Sequence, residues 1–265
     1  MKVSLIVSTY NRPEALRVCL NSIRNQSHLP FEVVIGDDGS KKDTKDLIDE
    51  MKKDFPVPIV HVWHEDDGFR LAMMRNKAVA ASSGDYIIEI DGDVFLHKHF
   101  VKDHKKYAAP GYYLKGGRVN LNQDATERII LKGKPEYPLF KGVESKPENG
   151  FYLPLISRYL LERYRRLKSP GLGCNMSFWK KDYIAVNGYD EFFVGWGGED
   201  LEFSMRMQSY GLVKRYLKFS GIVYHLWHED KYMQNRDSNF GYADNKICNK
   251  STWCENGIDK YLKKD

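Results

Sequence analysis

The stretch VSLIVSTYNRP, residues 3–13, combines an apolar strand with the start of a helix. Val3 to Ser8 is a continuous strand-like run, and Pro13 suits the first turn of a helix because its missing N–H needs no partner there. The residues that then recur on one helical face are Leu16, Cys19, Leu20 and Ile23. This stretch therefore predicts a β-α unit.

The same alternation continues to residue 90. It predicts further strands at Phe31–Ile35, Ile59–Trp63 and Tyr86–Ile90, and helices at Thr44–Lys53 and Leu71–Ala81. Four strands that alternate with three helices are typical of a parallel sheet covered on both faces. Because such sheets bind ligands at the carboxyl ends of their strands, residues 9–12, 37–39 and 91–93 are the first candidates for a site.

The second half of the chain is less regular. Between Lys105 and Pro170 scattered glycines interrupt any periodicity, which predicts a long excursion over the site. Within that segment, Leu155–Lys168 can form a helix with five basic residues and one acid. Elements predicted after it are strands at Cys174–Trp179, Arg215–Phe219 and Ile222–His225, and helices at Lys181–Val186 and Glu199–Tyr210. The polar tail after Glu229 carries no predicted element.

Composition restricts the class of protein. The 265 residues are 42% hydrophobic and 29% charged, which is typical of a globular protein and excludes a disordered or coiled-coil chain. A net charge of +5 is too small for general nucleic-acid binding, so no nucleic-acid partner is expected. No apolar stretch approaches membrane-spanning length, which predicts a cytoplasmic, non-spanning protein. The four cysteines are expected to be free thiols, with a Cys248–Cys254 pair as the alternative.

Two acidic segments follow predicted strands. Asp91-Gly92-Asp93 places two carboxylates at a turn, where they can reach one divalent ion; the alternative is an acidic turn closed by Gly92. Asp38 lies in Asp-Asp-Gly-Ser, which is ordinary turn chemistry, although its carboxylate can also accept the ring N–H of a base.

Two later segments also carry chemistry. Gly195 to Asp200 is glycine-rich and then acidic at a helix start, where acids offset the helix dipole; Trp196 can stack on a sugar ring, and a carboxylate beside it can deprotonate a hydroxyl. His225 ends a strand and is either structural or a metal ligand. A mixed carboxylate and imidazole set favours manganese over magnesium.

Together these motifs resemble the family 2 glycosyltransferases. The residues that carry the likeness are Val-Ser-Thr-Tyr-Asn-Arg at 7–12, Asp-Asp-Gly-Ser at 37–40, Arg75-Asn76 with Ala78, Asp91-Gly92-Asp93, and Gly-Trp-Gly-Gly-Glu-Asp at 195–200. The C-terminal part is similar to a segment of beta-1,4-galactosyltransferases, bacterial chondroitin polymerase and polypeptide N-acetylgalactosaminyltransferases. The resemblance implies a GT-A fold, with a Rossmann-like, mostly parallel sheet flanked by helices, a nucleotide-sugar donor, usually a UDP-sugar, and a divalent metal.

The resemblance also implies roles for residues at the donor. Thr9, Tyr10 and Arg12 would line the nucleotide pocket, Asp38 would hold the uracil, and Asp91 would lie near the ribose. Asp93 and His225 would bind Mn²⁺ or Mg²⁺, with His228 as the substitute for His225. Arg75 would face the donor, or would instead pair with Asp66 or Asp67.

At the acceptor, Asp200 would be the catalytic base and Glu199 would bind hydroxyls beside Trp196. These roles predict an inverting, metal-dependent glycosyltransferase with a nucleotide-sugar half at 1–104 and an acceptor half at 105–265. The alternatives are a retaining transferase, a sugar-nucleotide pyrophosphorylase and a silent carbohydrate-binding protein. A pyrophosphorylase needs a glycine-rich loop that residues 9–12 lack, and a placed base argues against a silent protein.

The acceptor is expected to be a glycan or a lipid-linked glycan. The helix at Leu155–Lys168 allows two interpretations, because its apolar face either packs on the core or, with its arginines, forms a peripheral contact with anionic lipid.

Overall fold

A computed structural model describes residues 1–163, 173–229 and 235–263, and the strands in these ranges form two sheets. The strands are β1 (Val3–Thr9), β2 (Glu32–Asp37), β3 (Ile59–Trp63), β4 (Tyr86–Asp91), β5 (Val94–Leu96), β6 (Tyr112–Gly116), β7 (Arg118–Leu121), β8 (Val143–Ser145), β9 (Met176–Trp179), β10 (Val213–Leu217) and β11 (Val223–His225). The helices are α1 (Pro13–Arg24), α2 (Lys42–Lys52), α3 (Leu71–Ala81), α4 (Phe100–Tyr107), α5 (Gln123–Lys132), α6 (Pro154–Arg163), α7 (Lys180–Ala185), α8 (Glu199–Ser209) and α9 (Arg236–Cys248).

The larger sheet has seven strands in the order β10-β6-β9-β4-β1-β2-β3. The four strands predicted from the first hundred residues are neighbours in it and run parallel, as expected. Beyond β4 the sheet continues with β9, which is antiparallel to both β4 and β6, and with β10, which is parallel to β6. The α/β class with a mostly parallel sheet is therefore confirmed.

Strand β1 shows why this sheet needs helices on both faces. Leu5 and Val7 pack with Leu16 and other side chains of α1, whereas Ile6, between them in sequence, packs with Val34 and the side of α3. Side chains alternate across a strand, so an unbroken apolar run buries both of its faces.

The prediction of an irregular excursion between Lys105 and Pro170 is wrong. That segment contributes β6 to the larger sheet, where it lies second from one edge, and β7, β8 and α5 to a second layer. Strand β7 alternates half-buried and buried residues over only four positions, which is too short a pattern to distinguish from a loop. Helix α5 did carry end signals, because the Asn122 side chain caps its start and Gly133 ends it in the left-handed conformation.

The second sheet, in the order β5-β11-β7-β8, brings distant residues together. His225 on β11 pairs with Val94 on β5, in antiparallel register, and with Asn120 on β7. Since Val94 directly follows Asp93, this pairing carries His225 to the acidic turn.

The described part of the tail, residues 235–263, contains more secondary structure than expected. Helix α9 packs on α8, and its Tyr242 ring stacks 3.9 Å from Phe192. A final turn at Ile258–Tyr261 packs on α3. Helix α9 has few buried positions, chiefly Asn239 and Ala243, so the sequence shows no apolar stripe there.

Helix α6 differs from its predicted packing. Leu155 and Tyr159 belong to the apolar face that was expected either to pack on the core or to contact lipid; they are 86% and 70% exposed, which argues against core packing, whereas Ser157 and Leu161 are buried. Residues 164–168 of the predicted helix lie outside the described residues. Among the helices that the structure describes, none combines the length and the apolar character needed to span a membrane.

The cysteines are free thiols, with Cys19, Cys174 and Cys254 buried and Cys248 exposed. The alternative Cys248–Cys254 pair is therefore not formed.

Candidate active site

The acidic turn lies at the carboxyl end of β4, directly against β1. The Gly92 N–H donates to the Ser8 carbonyl at 2.6 Å, and a Cβ on Gly92 would lie 3.0 Å from that oxygen. Glycine at this position therefore allows the turn to approach the neighbouring strand, and the turn presents Asp91 and Asp93 at the same sheet edge.

Asp93 is surrounded by three nitrogen groups. Its Oδ2 lies 3.1 Å from Arg12 Nη1 and 3.4 Å from His228 Nε2, and its Oδ1 lies 3.7 Å from His225 Nε2. Burial acts to raise the pKa of Asp93, but His225, Arg12 and His228 together hold it below its usual value. Burial lowers the pKa of His225, which favours the neutral imidazole that metals bind.

The residues around Asp93 fit a divalent cation. One ligand atom from each of Asp93, His225 and His228 lies within 4.8 Å of the others. The buried Asp93 Oδ1 makes no hydrogen bond in the described part of the chain, so one ligand oxygen is not engaged. Both histidines approach the carboxylate, so His225 and His228 are both candidate ligands.

Arg75 lies beneath this turn, with its side chain only 2% exposed. Its guanidinium contacts Glu89 Oε1 at 3.1 Å, Asp91 Oδ1 at 3.1 Å and Glu199 Oε1 at 3.4 Å. The predicted alternative of a pair with Asp66 or Asp67 is wrong, because Asp67 pairs with Arg70 at 2.7 Å. A donor-facing role for Arg75 stays a prediction, since its guanidinium contacts the carboxylates of Glu89, Asp91 and Glu199.

Glu199 and Asp200 begin α8 and have different surroundings. Glu199 is tied to Arg75, and its burial, reinforced by the charge of Asp200, raises its pKa to about 7. The Asp200 Oδ2 accepts a hydrogen bond from the Gly173 N–H at 3.3 Å. Glu199 is thus a carboxyl group that is readily protonated near neutral pH. Its neighbour Asp200 is held instead by the backbone of Gly173, just before β9.

The loop before α8 is fixed by α9. Asn239 donates from Nδ2 to the carbonyl oxygens of Val194 and Trp196, at 3.1 and 3.3 Å. Gly198 has φ of 91°, and a Cβ there would lie 3.0 Å from the Asn239 carbonyl oxygen. Trp196 is 38% exposed and lies 6.3 Å, between ring centroids, from Phe240 of α9. The tail therefore supports the loop that presents Trp196.

The predicted nucleotide residues follow β1 and β2. The Asp38 N–H donates to the Thr9 carbonyl at 3.0 Å, so these two positions are adjacent. Asp38 Oδ1 lies 2.8 Å from His64 Nε2, and Oδ2 accepts the Arg70 N–H at 2.9 Å. The Tyr10 hydroxyl donates to Asp66 at 2.9 Å.

His64 and Arg118 are two site residues that the sequence did not indicate. His64 directly follows β3, so the rule that drew attention to Asp38 and Asp91 would have found it. Arg118 begins β7 and lies 3.8 Å from Cys174 Sγ, where its charge acts on Asp91 and Asp93. It lay in the segment without recognisable periodicity.

Comparison with known proteins identifies the family. Residues 4–185 match glycosyl transferase family 2, and residues 160–229 match the N-terminal domain of galactosyltransferase. The chain belongs to glycosyl transferase family 2, as its motifs predicted. A hyaluronan synthase of Pasteurella multocida is 28% identical over 228 residues, which cover 79% of this chain and 23% of that protein. The chain thus spans about a quarter of that relative's length.

Solved structures confirm the GT-A glycosyltransferase fold. Staphylococcus aureus TarS 1-349, in complex with UDP-GlcNAc, superposes with a TM-score of 0.62 and 20% identity, over 94% of this chain and 66% of that one. GalNAc-T7 with UDP, GalNAc and Mn²⁺ gives a TM-score of 0.66 and 15% identity, over 92% and 48% of the two chains.

Replacement of Arg75 by Met should strongly destabilise the protein. The change leaves Glu89, Asp91 and Glu199 without their shared cation, and loss of one partner of a buried ion pair costs about 3–5 kcal/mol. Denaturant unfolding measures the change in the free energy of unfolding. Arg17→Met is the control, because Arg17 pairs with Glu50 in solvent and should change stability little. Equal, small losses in both variants would contradict a central role for Arg75.

Proposed function

We propose that the chain is an inverting, metal-dependent glycosyltransferase that moves a sugar from a nucleotide donor, a UDP-sugar, to a hydroxyl of a glycan or lipid-linked acceptor. The observation that carries this proposal is the joint position of Asp93, His225 and His228 at the carboxyl edge of the sheet, with Glu199 tied to the same turn through Arg75. Structures that share the fold hold UDP-GlcNAc in one case, and UDP with Mn²⁺ in another.

Asp93, His225 and His228 would hold the metal, Mn²⁺ or Mg²⁺. A divalent cation bound there would act as a Lewis acid and offset the charge that develops on the departing diphosphate. Arg12, 3.1 Å from Asp93, can pair with a phosphate on the same side.

The donor base and ribose would lie over β1, β2 and the end of β4. Asp38 is held by His64 and by the Arg70 N–H, so its carboxylate is oriented before a uracil binds. Thr9 ends the adjacent strand and Tyr10 follows it, and Asp91 is oriented by Arg75. We infer from this row that residues 1–104 supply the nucleotide-sugar half and residues 105–265 the acceptor half.

Asp200 would take the proton from the acceptor hydroxyl as that oxygen attacks the donor sugar opposite the leaving group. Glu199, held by Arg75, would bind acceptor hydroxyls, and its raised pKa allows it to donate as well as accept a hydrogen bond. Trp196 would stack on a sugar ring from the loop that α9 supports.

Helix α6 supports a peripheral contact with anionic lipid, which suits a lipid-linked acceptor. Its Leu155 and Tyr159 are 86% and 70% exposed, and Arg158 is exposed between them. Apolar side chains next to a cation are the composition of a helix that lies in a membrane interface.

Removal of the metal ligand should abolish function. Asp93→Ala is expected to lose both sugar transfer and manganese-dependent UDP binding, measured by UDP release over a panel of nucleotide sugars and by calorimetry. His225→Ala and His228→Ala should each weaken the dependence on manganese and keep the fold. Asp54→Ala is the control, since Asp54 is an exposed partner of Arg24. Full activity in the presence of a chelator would contradict the proposal.

Asp200→Asn should lower turnover by roughly 10²–10⁴, because an amide cannot accept the proton. UDP affinity and melting temperature should stay near their original values, since the nucleotide and metal residues are unchanged. Glu199→Gln should act chiefly on acceptor affinity. Anomeric proton coupling of the product distinguishes inversion from retention, and near-normal turnover of Asp200→Asn would make Glu199 the next candidate for the base.

Replacement of the exposed apolar residues of α6 should weaken binding to anionic vesicles. Leu155→Ser with Tyr159→Ser removes two side chains that would enter the interface, which predicts a loss of roughly tenfold or more in vesicle co-sedimentation. Leu131→Ser is the matched control, because Leu131 on α5 is 87% exposed. A native protein that ignores anionic vesicles, or an equal loss in the control, would contradict this contact.

A further inference from the structure

A cavity, which we call the basic groove, opens at the carboxyl ends of β6 and β10. Its volume is about 290 Å³, and its charged lining consists of Lys115, Arg118, Lys146, Lys214, Lys218 and Glu148. Among the described residues that line it, five side chains are therefore basic and one is acidic. Arg118 also acts on Asp91 and Asp93 of the candidate site, and the other five residues were assigned no role by the sequence or by the proposed function.

Strand register assembles the basic groove. Lys115 on β6 lies opposite Tyr216 on β10, and Lys214 lies two residues before Tyr216, so the three side chains share one face of the sheet. Lys218 follows β10 and donates to Asn149 Oδ1 at 2.8 Å, while Asn149 Nδ2 donates to the Arg118 carbonyl at 2.9 Å. Asn149 thus links Lys218 to the strand that begins with Arg118.

The charges in the groove oppose one another. Burial, together with the charge of nearby Lys115, lowers the pKa of Lys214 to about 8. Burial also lowers the pKa of Lys115, while the charges of Asp200 and Cys174 act to raise it and those of Lys146 and Arg118 act to lower it. The acidic member, Glu148, is 57% exposed and lies 4.0 Å from Lys218, so its own pairing with Lys218 is weak. An anion in the groove would relieve the repulsion.

The order of strands places the groove on the acceptor side. Along β2-β1-β4-β9-β6-β10, the proposed nucleotide residues belong to β1 and β2, the metal ligand Asp93 follows β4, and the groove lies at β6 and β10. The proposed base, Asp200, lies between Asp93 and the groove. Its carboxylate accepts a hydrogen bond from the Gly173 N–H just before β9, and its charge acts on Lys115 of the groove.

We propose that the basic groove binds a negatively charged group, a carboxylate or a phosphate, carried by the acceptor. The statement that an acceptor carries the anion rests on the proposed transferase function. The statement that the groove binds an anion rests only on the residues of the groove. Lysine and arginine bind both anions through charge-assisted hydrogen bonds, which a neutral sugar cannot replace.

The test titrates sodium glucuronate, inorganic phosphate and glucose into the full chain, with UDP and Mg²⁺ saturating so that the proposed donor site is filled. Calorimetry should show binding of glucuronate or phosphate at least tenfold tighter than that of glucose. The tighter of the two anions assigns the group as carboxylate or phosphate.

The paired variant is Lys214→Met with Lys218→Met, which keeps the length of both side chains and removes their charge. Anion affinity should fall at least tenfold. The control is Lys41→Met with Lys53→Met, since both lysines are exposed far from the groove in sequence and should leave anion affinity unchanged.

Three results would overturn the groove as an anion site: equal binding of glucose and both anions, no binding of either anion, or equal losses in the paired variant and its control. UDP affinity, measured in the same samples, reports on the proposed function separately. If UDP does not bind, the same titration without UDP still tests the groove, so the two failures are distinguishable.

Discussion

The candidate site depends on the ion pairs that the buried guanidinium of Arg75 makes with three carboxylates. The guanidinium contacts Glu89 and Asp91 of β4 and Glu199 at the start of α8, and it lies 5.0 Å from the centre of the Tyr189 ring. A buried cation is costly unless it is paired, and the guanidinium can pair with carboxylates from two elements at once, so Arg75 links strand β4 to helix α8. The acidic turn and the acids of α8 are held at one place because they share this cation.

That shared cation does not make the carboxylates alike. Glu199 is buried beside Asp200, which raises its pKa to about 7, whereas His225, Arg12 and His228 outweigh burial and hold the pKa of Asp93 below its usual value. Environments that separate the pKa values of neighbouring carboxylates are a common way to assign different chemical roles within one site. Here one carboxyl group suits hydrogen bonding to a hydroxyl, and the other suits a cation.

Much of this arrangement is readable from local sequence, for physical reasons. Apolar strand runs and helical faces fix β1 to β4 and α1 to α3, because both faces of each inner strand must be covered. What is not readable depends on pairing between distant segments: β6 is short and enters the sheet between β9 and β10, and α9 has no apolar stripe. The partners of Arg75 and the approach of both His225 and His228 to Asp93 are likewise set by tertiary packing.

Because strands from residues 1–104 pair with strands from residues 105–265, the two predicted halves are structurally inseparable, whatever their separate roles. Strand β9 is antiparallel to β4 on one side and to β6 on the other, so residues after 105 complete the sheet that the first hundred residues begin. The candidate metal ligands divide in the same way, since Asp93 precedes β5 and His225 ends β11, and these two strands pair directly. A donor-binding fragment ending near residue 104 would therefore lack both the neighbour of β4 and the histidines beside Asp93. Folding of the second half is thus a condition for assembly of the candidate metal site around Asp93.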